Sequence, residues 1–153
     1  MDSSSGVART RRLDEIAEAL PQRAAVLSRL FVARAGLGIS RIEAGVVGAL
    51  AVRSHRITEL AAGEGVTQPA ISRLVDRLQD RGWVVRDSDP RDGRVVMVQL
   101  TPAGREMFDT LRAEYRALVH EEMAALSDGD VETLSRAIEV LDEVIVGLQA
   151  RES

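Results

Sequence analysis

The sequence predicts a mainly α-helical chain with one small β-hairpin near its middle. Three observations carry this. Apolar residues at both ends recur every three or four positions, the spacing of a helix face. Two short valine-rich runs, Trp83–Arg86 and Val95–Leu100, bracket the stretch Ser88-Asp89-Pro90-Arg91-Asp92-Gly93-Arg94, whose Pro and Asp-Gly suit a tight reversal. Just before them, the segment Ile57–Leu78 (ITELAAGEGVTQPAISRLVDRL) reads as two short helices joined at a glycine.

The elements follow in order. The start, MDSSSGVARTRR, has no apolar h-region of a signal peptide and is expected to be a disordered polar arm over residues 1–12. A helix is expected from Leu13, through Ile16, Leu20, Leu27, Leu30 and Phe31, with a kink or restart at Pro21. It ends by residue 36 at Gly36-Leu37-Gly38. Ser40-Arg41-Ile42-Glu43 has capping-box spacing, so a second helix starts there and runs through Val46, Val47 and Leu50. Gly45 and Gly48 inside it each cost about 1 kcal/mol against alanine. They predict close approach of another backbone or, as the sharper alternative, the wall of a ligand cavity. A short helix over Thr58–Ala62 and a longer one over Thr67–Arg81 come next, ended by Gly82. After the hairpin, Thr101 and Pro102 suit the N-cap and first position of a helix through Phe108, Leu111, Tyr115 and Leu118. The last helix is capped by Ser127 and Asp130. Its apolar positions Val131, Leu134, Ile138, Leu141, Ile145 and Leu148 form an unbroken heptad stripe. One helix packed on the core would use part of such a stripe; a homodimer formed with the N-terminal helix of a second chain accounts for its length.

Composition bounds the function. With 153 residues and 45% hydrophobic content, the chain suits a globular protein with a modest core. It has no cysteine, which excludes disulfides, thiolate metal sites and thiol redox sensing. No apolar run approaches the ~20 residues of a membrane span, so a cytoplasmic protein without a membrane partner is expected. Net charge is −4, yet the segment from Arg53 to Arg105 holds nine arginines against seven acids. An anionic partner therefore belongs to the central third.

In the helix pair, Ala61 is small enough for a second helix to cross closely, Gly65 suits a left-handed turn, and Ile71 and Leu74 can lock the helices together. These are the requirements of a helix-turn-helix. At 100° per residue, Ile71, Leu74, Val75 and Leu78 share one face of the second helix and should be buried. Pro69, Ser72, Arg73 and Asp76 face the other way, with Gln68 and Arg77 on the flanks. Gln and Arg suit base edges in a major groove, and Thr67 and Ser72 suit phosphate oxygens. Asp76 would repel phosphate unless an arginine holds it. The hairpin that follows makes a wing, and Arg91 and Arg94 at its tip suit the minor groove or backbone. The fold class is thus a winged helix-turn-helix over residues 40–101, flanked by helical dimerisation segments at 13–36 and 102–150. The candidate double-stranded DNA contacts are Thr67, Gln68, Pro69, Ser72, Arg73 and Arg77, with Arg91, Asp92 and Arg94 on the wing.

The stretches VTQPAISRLVDRLQDRGWVVR, DPRDGR and VQLTPAG resemble the multiple-antibiotic-resistance regulator (MarR) family of transcription factors. The resemblance spans about residues 13–150 and is sharpest from Leu60 to Gly104. Its specific marks are Asp92-Gly93-Arg94 and Leu100-Thr101-Pro102-Ala103-Gly104. It implies an obligate homodimer, a pseudo-palindromic operator, Arg94 near the minor groove, and Asp92 bracing the wing against Arg77 or Arg73. It also implies release from DNA by a small, often aromatic, effector. The branch that senses peroxide through cysteine is excluded here.

Other classes fit less well. His55 and His120 are far apart in sequence and sit in no nucleophile motif, so no enzyme is expected. His120-Glu121-Glu122 raises a metal-responsive regulator as an alternative, but neighbours on a helix point about 100° apart and cannot make one site. No cofactor or metal is expected. A helical protein-interaction module without DNA binding would leave the arginine-tipped hairpin unexplained.

Overall fold

The structure, a computed structural model, describes residues 3–36, 38–88 and 95–151. The elements are α1 (Ser3–Ala35), α2 (Arg41–Val52), β1 (His55–Arg56), α3 (Ile57–Glu64), α4 (Gln68–Asp80), β2 (Val84–Ser88), β3 (Val96–Leu100), α5 (Pro102–Met123) and α6 (Asp128–Gln149). The chain divides into two compact units, Met1–Tyr115 and Arg116–Ser153.

Caps set most boundaries. Ser40 Oγ accepts from the Glu43 N–H at 3.2 Å, and the Glu43 carboxylate accepts from the Ser40 N–H at 2.7 Å, completing the expected capping box. Glu59 accepts from the Arg56 N–H at 2.7 Å at the start of α3. Gly65 ends α3 with φ 65°, the left-handed conformation expected of the turn. Ser127 accepts from the Asp130 N–H at 3.2 Å at the start of α6.

Two expectations near the N-terminus need correction. Residues 3–12 are helical, part of α1, where a disordered arm was expected. The segment has no proline, its one glycine, Gly6, is tolerated, and the i,i+4 pair of Arg11 with Glu15 supports propagation from the amphipathic part. Of the kink or restart expected at Pro21, the restart does not occur: Pro21 lies inside the same helix. An interior proline costs about 3 kcal/mol, but helical spacing continues on both sides and the helix elongates through it.

Within the first unit, Val46, Val47, Leu50, Leu60, Ala61, Ile71, Leu74, Val75, Leu78, Val84 and Val98 form one core. The predicted inner face of α4 is therefore buried in full. Ala61 of α3 is buried in this core with the inner face of α4, where the sequence required a small residue. A second cluster joins Ala35, Ile39 and Leu111, with Trp83 and Tyr115 packed against it.

The sheet is antiparallel in the order β1-β3-β2. β2 and β3 pair from Val84↔Leu100 to Ser88↔Val96, the expected hairpin. The pairing of β1 through His55↔Val98 and Arg56↔Met97 was not foreseen. The hairpin's base is locked to the neighbouring helices. Thr101 donates its N–H to the Trp83 carbonyl at 3.0 Å and its hydroxyl to the Gly82 carbonyl at 2.6 Å. The same hydroxyl accepts from the Gly104 N–H at 3.0 Å, so Thr101 is the N-cap of α5.

In the second unit, α6 has no buried residue. Of its heptad stripe, Val131, Leu134, Ile138, Ile145 and Leu148 are 40–58% exposed. Leu13, Ile16, Leu27 and Leu30 of α1 are likewise 46–53% exposed.

A methyl group at Gly104 would collide with the Trp83 carbonyl, whereas nothing lies near the corresponding position of Gly63. Gly104→Ala is expected to lose about 1–3 kcal/mol in urea unfolding, and Gly63→Ala to gain about 0.5–1 kcal/mol. Equal effects would show that the close approach at Gly104 contributes nothing.

Candidate nucleic-acid interface

The outer face of α4 is built by its own amphipathic pattern. Thr67, Gln68, Pro69, Arg73, Asp76 and Arg77 are exposed, and Ser72 is half-buried. Thr67 is the N-cap residue, yet its side chain makes no capping bond, and Pro69 sits in the first turn. The structure thus brings the six candidates of this helix onto one surface. The wing candidates Arg91, Asp92 and Arg94 lie outside the described residues, as does the expected brace from Asp92.

Charge on this surface is tied down by residues that the sequence reading passed over. Asp76, awkward beside phosphate, is held by Arg86 at 2.7 Å. Arg86 also donates to Gln79 Oε1 at 2.9 Å and to the Ser72 carbonyl at 3.3 Å. One guanidinium on β2 therefore docks the hairpin along about two turns of α4. The signal was available: Arg86 lies two residues after the buried Val84, on the same side of the strand. Arg77 does not point outward freely. Its Nε stands 3.8 Å from Glu43 Oε1, and its Nη1 donates to the Arg73 carbonyl at 3.3 Å. Arg81 Nη1 stands 3.9 Å from the same Glu43 oxygen, and its guanidinium lies 5.0 Å from the Trp83 ring centre. Among the described residues, no acid lies within ion-pair distance of Arg73.

A recess of about 350 Å³ opens in the same unit between α1, α2 and α5. Ser28, Phe31, Arg41, Gly45 and Tyr115 line it. Phe31 and Tyr115 stack with ring centres 5.3 Å apart. The Tyr115 hydroxyl is buried without a hydrogen-bond partner, and burial pushes its pKa up. Arg41 Nη1 lies 3.5 Å from Glu64 Oε2. Burial raises the Glu64 pKa, and Arg41 counters part of that. Gly45 lines this recess, the sharper of the two expectations, and among the described residues no backbone approaches it closely. A Cβ on Gly45 would run into the Glu64 carboxylate. At Gly48, a Cβ would meet only the edge of the Phe108 ring, at 4.0 Å.

Among the described residues, no three His, Cys, Asp or Glu side chains are grouped as a metal ion would require. His55 sits in β1 beside Glu59, with Nδ1 3.7 Å from its carboxylate and without a hydrogen-bond partner.

Comparison with known proteins bears on this geometry. A probable transcriptional regulator from Pseudomonas aeruginosa is 30% identical, with 84% of this chain and 98% of that one covered and a TM-score of 0.60. The MarR family model matches residues 37–95, which take in α2, β1, α3, α4 and β2. The chain belongs to the MarR family. Its α2–β3 segment is the family's winged helix, in a mainly helical fold. Apo MarR from E. coli shares this fold, with a TM-score of 0.68 at 24% identity over 84% of this chain and 95% of that one. The HTH-type transcriptional regulator ML2140 of Mycobacterium leprae (strain TN), itself uncharacterized, is 30% identical over 86 residues. That alignment takes in 56% of this chain and spans 60% of the relative's length.

The His55 environment predicts a pH effect. Burial lowers its pKa, Arg53 lowers it further, and Glu59 and a bond to the Ala49 carbonyl oppose them. With the folded pKa below the ordinary imidazole value of about 6.5, the folded chain binds fewer protons than the unfolded one between those two pH values. Stability therefore falls as pH drops below about 6.5 toward the folded pKa. His55→Gln is expected to flatten that segment of a urea-melt series against pH; an unchanged slope would remove His55 as its source.

Proposed function

We propose that the protein is a homodimeric, sequence-specific DNA-binding transcriptional regulator, acting as a repressor at a pseudo-palindromic operator. The observation that carries this reading is the outer face of α4, with Gln68 and Arg73 exposed and the adjoining hairpin docked to it through Arg86. A recognition helix needs such a face in the major groove while a wing reaches the flanking groove or backbone. In this reading Gln68 and Arg73 read base edges, Thr67, Pro69 and Ser72 contact the backbone, and Arg91 and Arg94 extend the contact from the wing. Asp92 is its brace. Arg77 belongs to the same surface through its pair with Glu43.

Residues 40–101 form the DNA-binding region, and 13–36 with 102–150 the dimerisation region. The exposed apolar stripes of α1 and α6 support a second chain as their cover. Two-fold symmetry of the protein would then match two half-sites about one helical turn apart. Among the described residues no helix is long and apolar enough to cross a membrane, and a cytoplasmic regulator without catalytic activity is the reading proposed.

Release from DNA is assigned to a small aromatic effector in the recess beside Tyr115. An unpartnered buried hydroxyl costs about 1–3 kcal/mol, so an acceptor that enters the recess recovers that cost. Phe31 and Tyr115 supply ring surfaces, and Arg41 supplies a cation. Trp83, the single tryptophan, packs against the cluster that includes Tyr115 and can report on binding.

In a mobility-shift titration against the duplex upstream of its own gene, Arg73→Ala and Arg94→Ala are each expected to weaken binding by roughly tenfold or more, from about 1–3 kcal/mol per base contact. Undiminished binding by both would overturn the contact assignment. Affinity should fall steeply with salt as phosphate contacts release counterions, and a flat response would overturn DNA binding itself. Benzoate should change Trp83 fluorescence saturably in the wild type and more weakly in Tyr115→Phe; identical curves would take Tyr115 out of the effector site.

A further inference from the structure

We infer that Glu43 is a positioning residue that limits sequence-independent affinity, by holding Arg77 of the recognition helix and Arg81 at its C-cap off the DNA backbone. The inference rests on the DNA-binding reading above and adds a restraint within it. The Glu43 side chain is 7% exposed, the one charged residue in the buried set among the described residues. Its Oε2 is engaged by the Ser40 N–H, while Oε1 faces both Arg77 and Arg81. Capping alone does not require a charge, since glutamine serves the same position of a capping box. Taking a lone carboxylate out of water is unfavourable unless cations compensate it. Two guanidiniums, one on α4 and one at its C-cap, do so here, and each is held a second time, Arg77 by the Arg73 carbonyl and Arg81 by the Trp83 ring.

The arrangement sorts the arginines of α4 by role. Arg73, one turn before Arg77, has no acid beside it among the described residues and is available to a base edge. Arg77 and Arg81 are partly exposed, at 57% and 39% of the side chain, yet tethered to a buried charge. Left free, both would reach for phosphate and strengthen binding to any sequence equally. With Glu43 in place, the second half of the helix adds little sequence-independent affinity, and discrimination rests on the first half.

The experiment compares salt dependence on two duplexes, one selected by the wild type from a random pool and one a scrambled version of it. Glu43→Gln keeps an oxygen for the Ser40 N–H and removes the charge. On the scrambled duplex its log–log salt slope should steepen by roughly one to two, at about 0.9 per freed arginine that finds a phosphate. Affinity should rise on both duplexes, with the selected-to-scrambled ratio little changed, as that added affinity is sequence-independent. Arg77→Ala and Arg81→Ala added to this variant should return the slope to the wild-type value. Loss of a helix cap alone would weaken both duplexes in parallel and leave the slope unchanged, which would overturn the inference. Asp80→Asn makes the same change in net charge at an exposed position of α4, and an equal steepening there would also overturn it. Should Glu43→Gln not fold, Arg77→Ala alone is decisive. An unchanged slope on the scrambled duplex supports restraint by Glu43, and a slope shallower by about one overturns it. A wild type that binds neither duplex would instead overturn the DNA-binding reading, and the inference with it.

Discussion

The winged-helix unit depends on one junction. At Gly82-Trp83 the recognition helix ends and β2 begins, and at Thr101–Gly104 β3 ends and α5 begins. Thr101 closes the two together through both its N–H and its hydroxyl, and α5 starts so near the Trp83 carbonyl that only glycine fits at 104. Four elements take their directions from this contact. A short two-stranded ribbon is marginal by itself, so its stability here derives from the helices clamped at its open end. The Leu-Thr-x-x-Gly mark has its physical meaning in that clamp.

Electrostatics then refine what the junction sets up. Arg86 bridges strand to helix, and Glu43 bridges α2 to α4. Both use a pairing of acid with arginine across elements distant in sequence. Such pairs add modestly to stability where solvent reaches them, but they fix direction. Each also decides which charge remains for a partner: Asp76 is neutralised by Arg86, and Arg77 and Arg81 share Glu43. An acidic protein can in this way present a local cationic surface without a high density of basic residues.

The elements legible in the sequence are those that carry their own signals. Ser40 with Glu43, Ser127 with Asp130, Gly65 and Thr101 act within four residues of themselves, and their caps and turn form as read. The inner face of α4 was legible because burial repeats with the helical period. What escaped is what depends on a distant partner. β1 has two residues, too few for any periodicity, and exists because β3 offers it an edge. Gly45 faces the Glu64 carboxylate, which comes from another helix. Arg86 and the second task of Glu43 are visible only once α4 is packed against its neighbours. The reach of α1 into residues 3–12 reflects propagation from a strong helix into a segment whose composition alone does not specify one. The recess beside Tyr115 also arises from packing, since its walls come from three helices.

The uncovered stripe on α6 carries a consequence of mass action. On the proposed dimer, burying Val131, Leu134, Ile138, Ile145 and Leu148 adds about 25 cal/mol for each Å² of apolar surface taken from water. That gain exists only while a second subunit is present, so resistance to unfolding becomes a function of how much protein there is. Dilution would lower the melting temperature with no change in the chain. A cell that makes little of such a protein would hold part of it as dissociated, less stable subunits, exposed to proteolysis. Expression level would then tune the lifetime of the protein as well as the occupancy of its target.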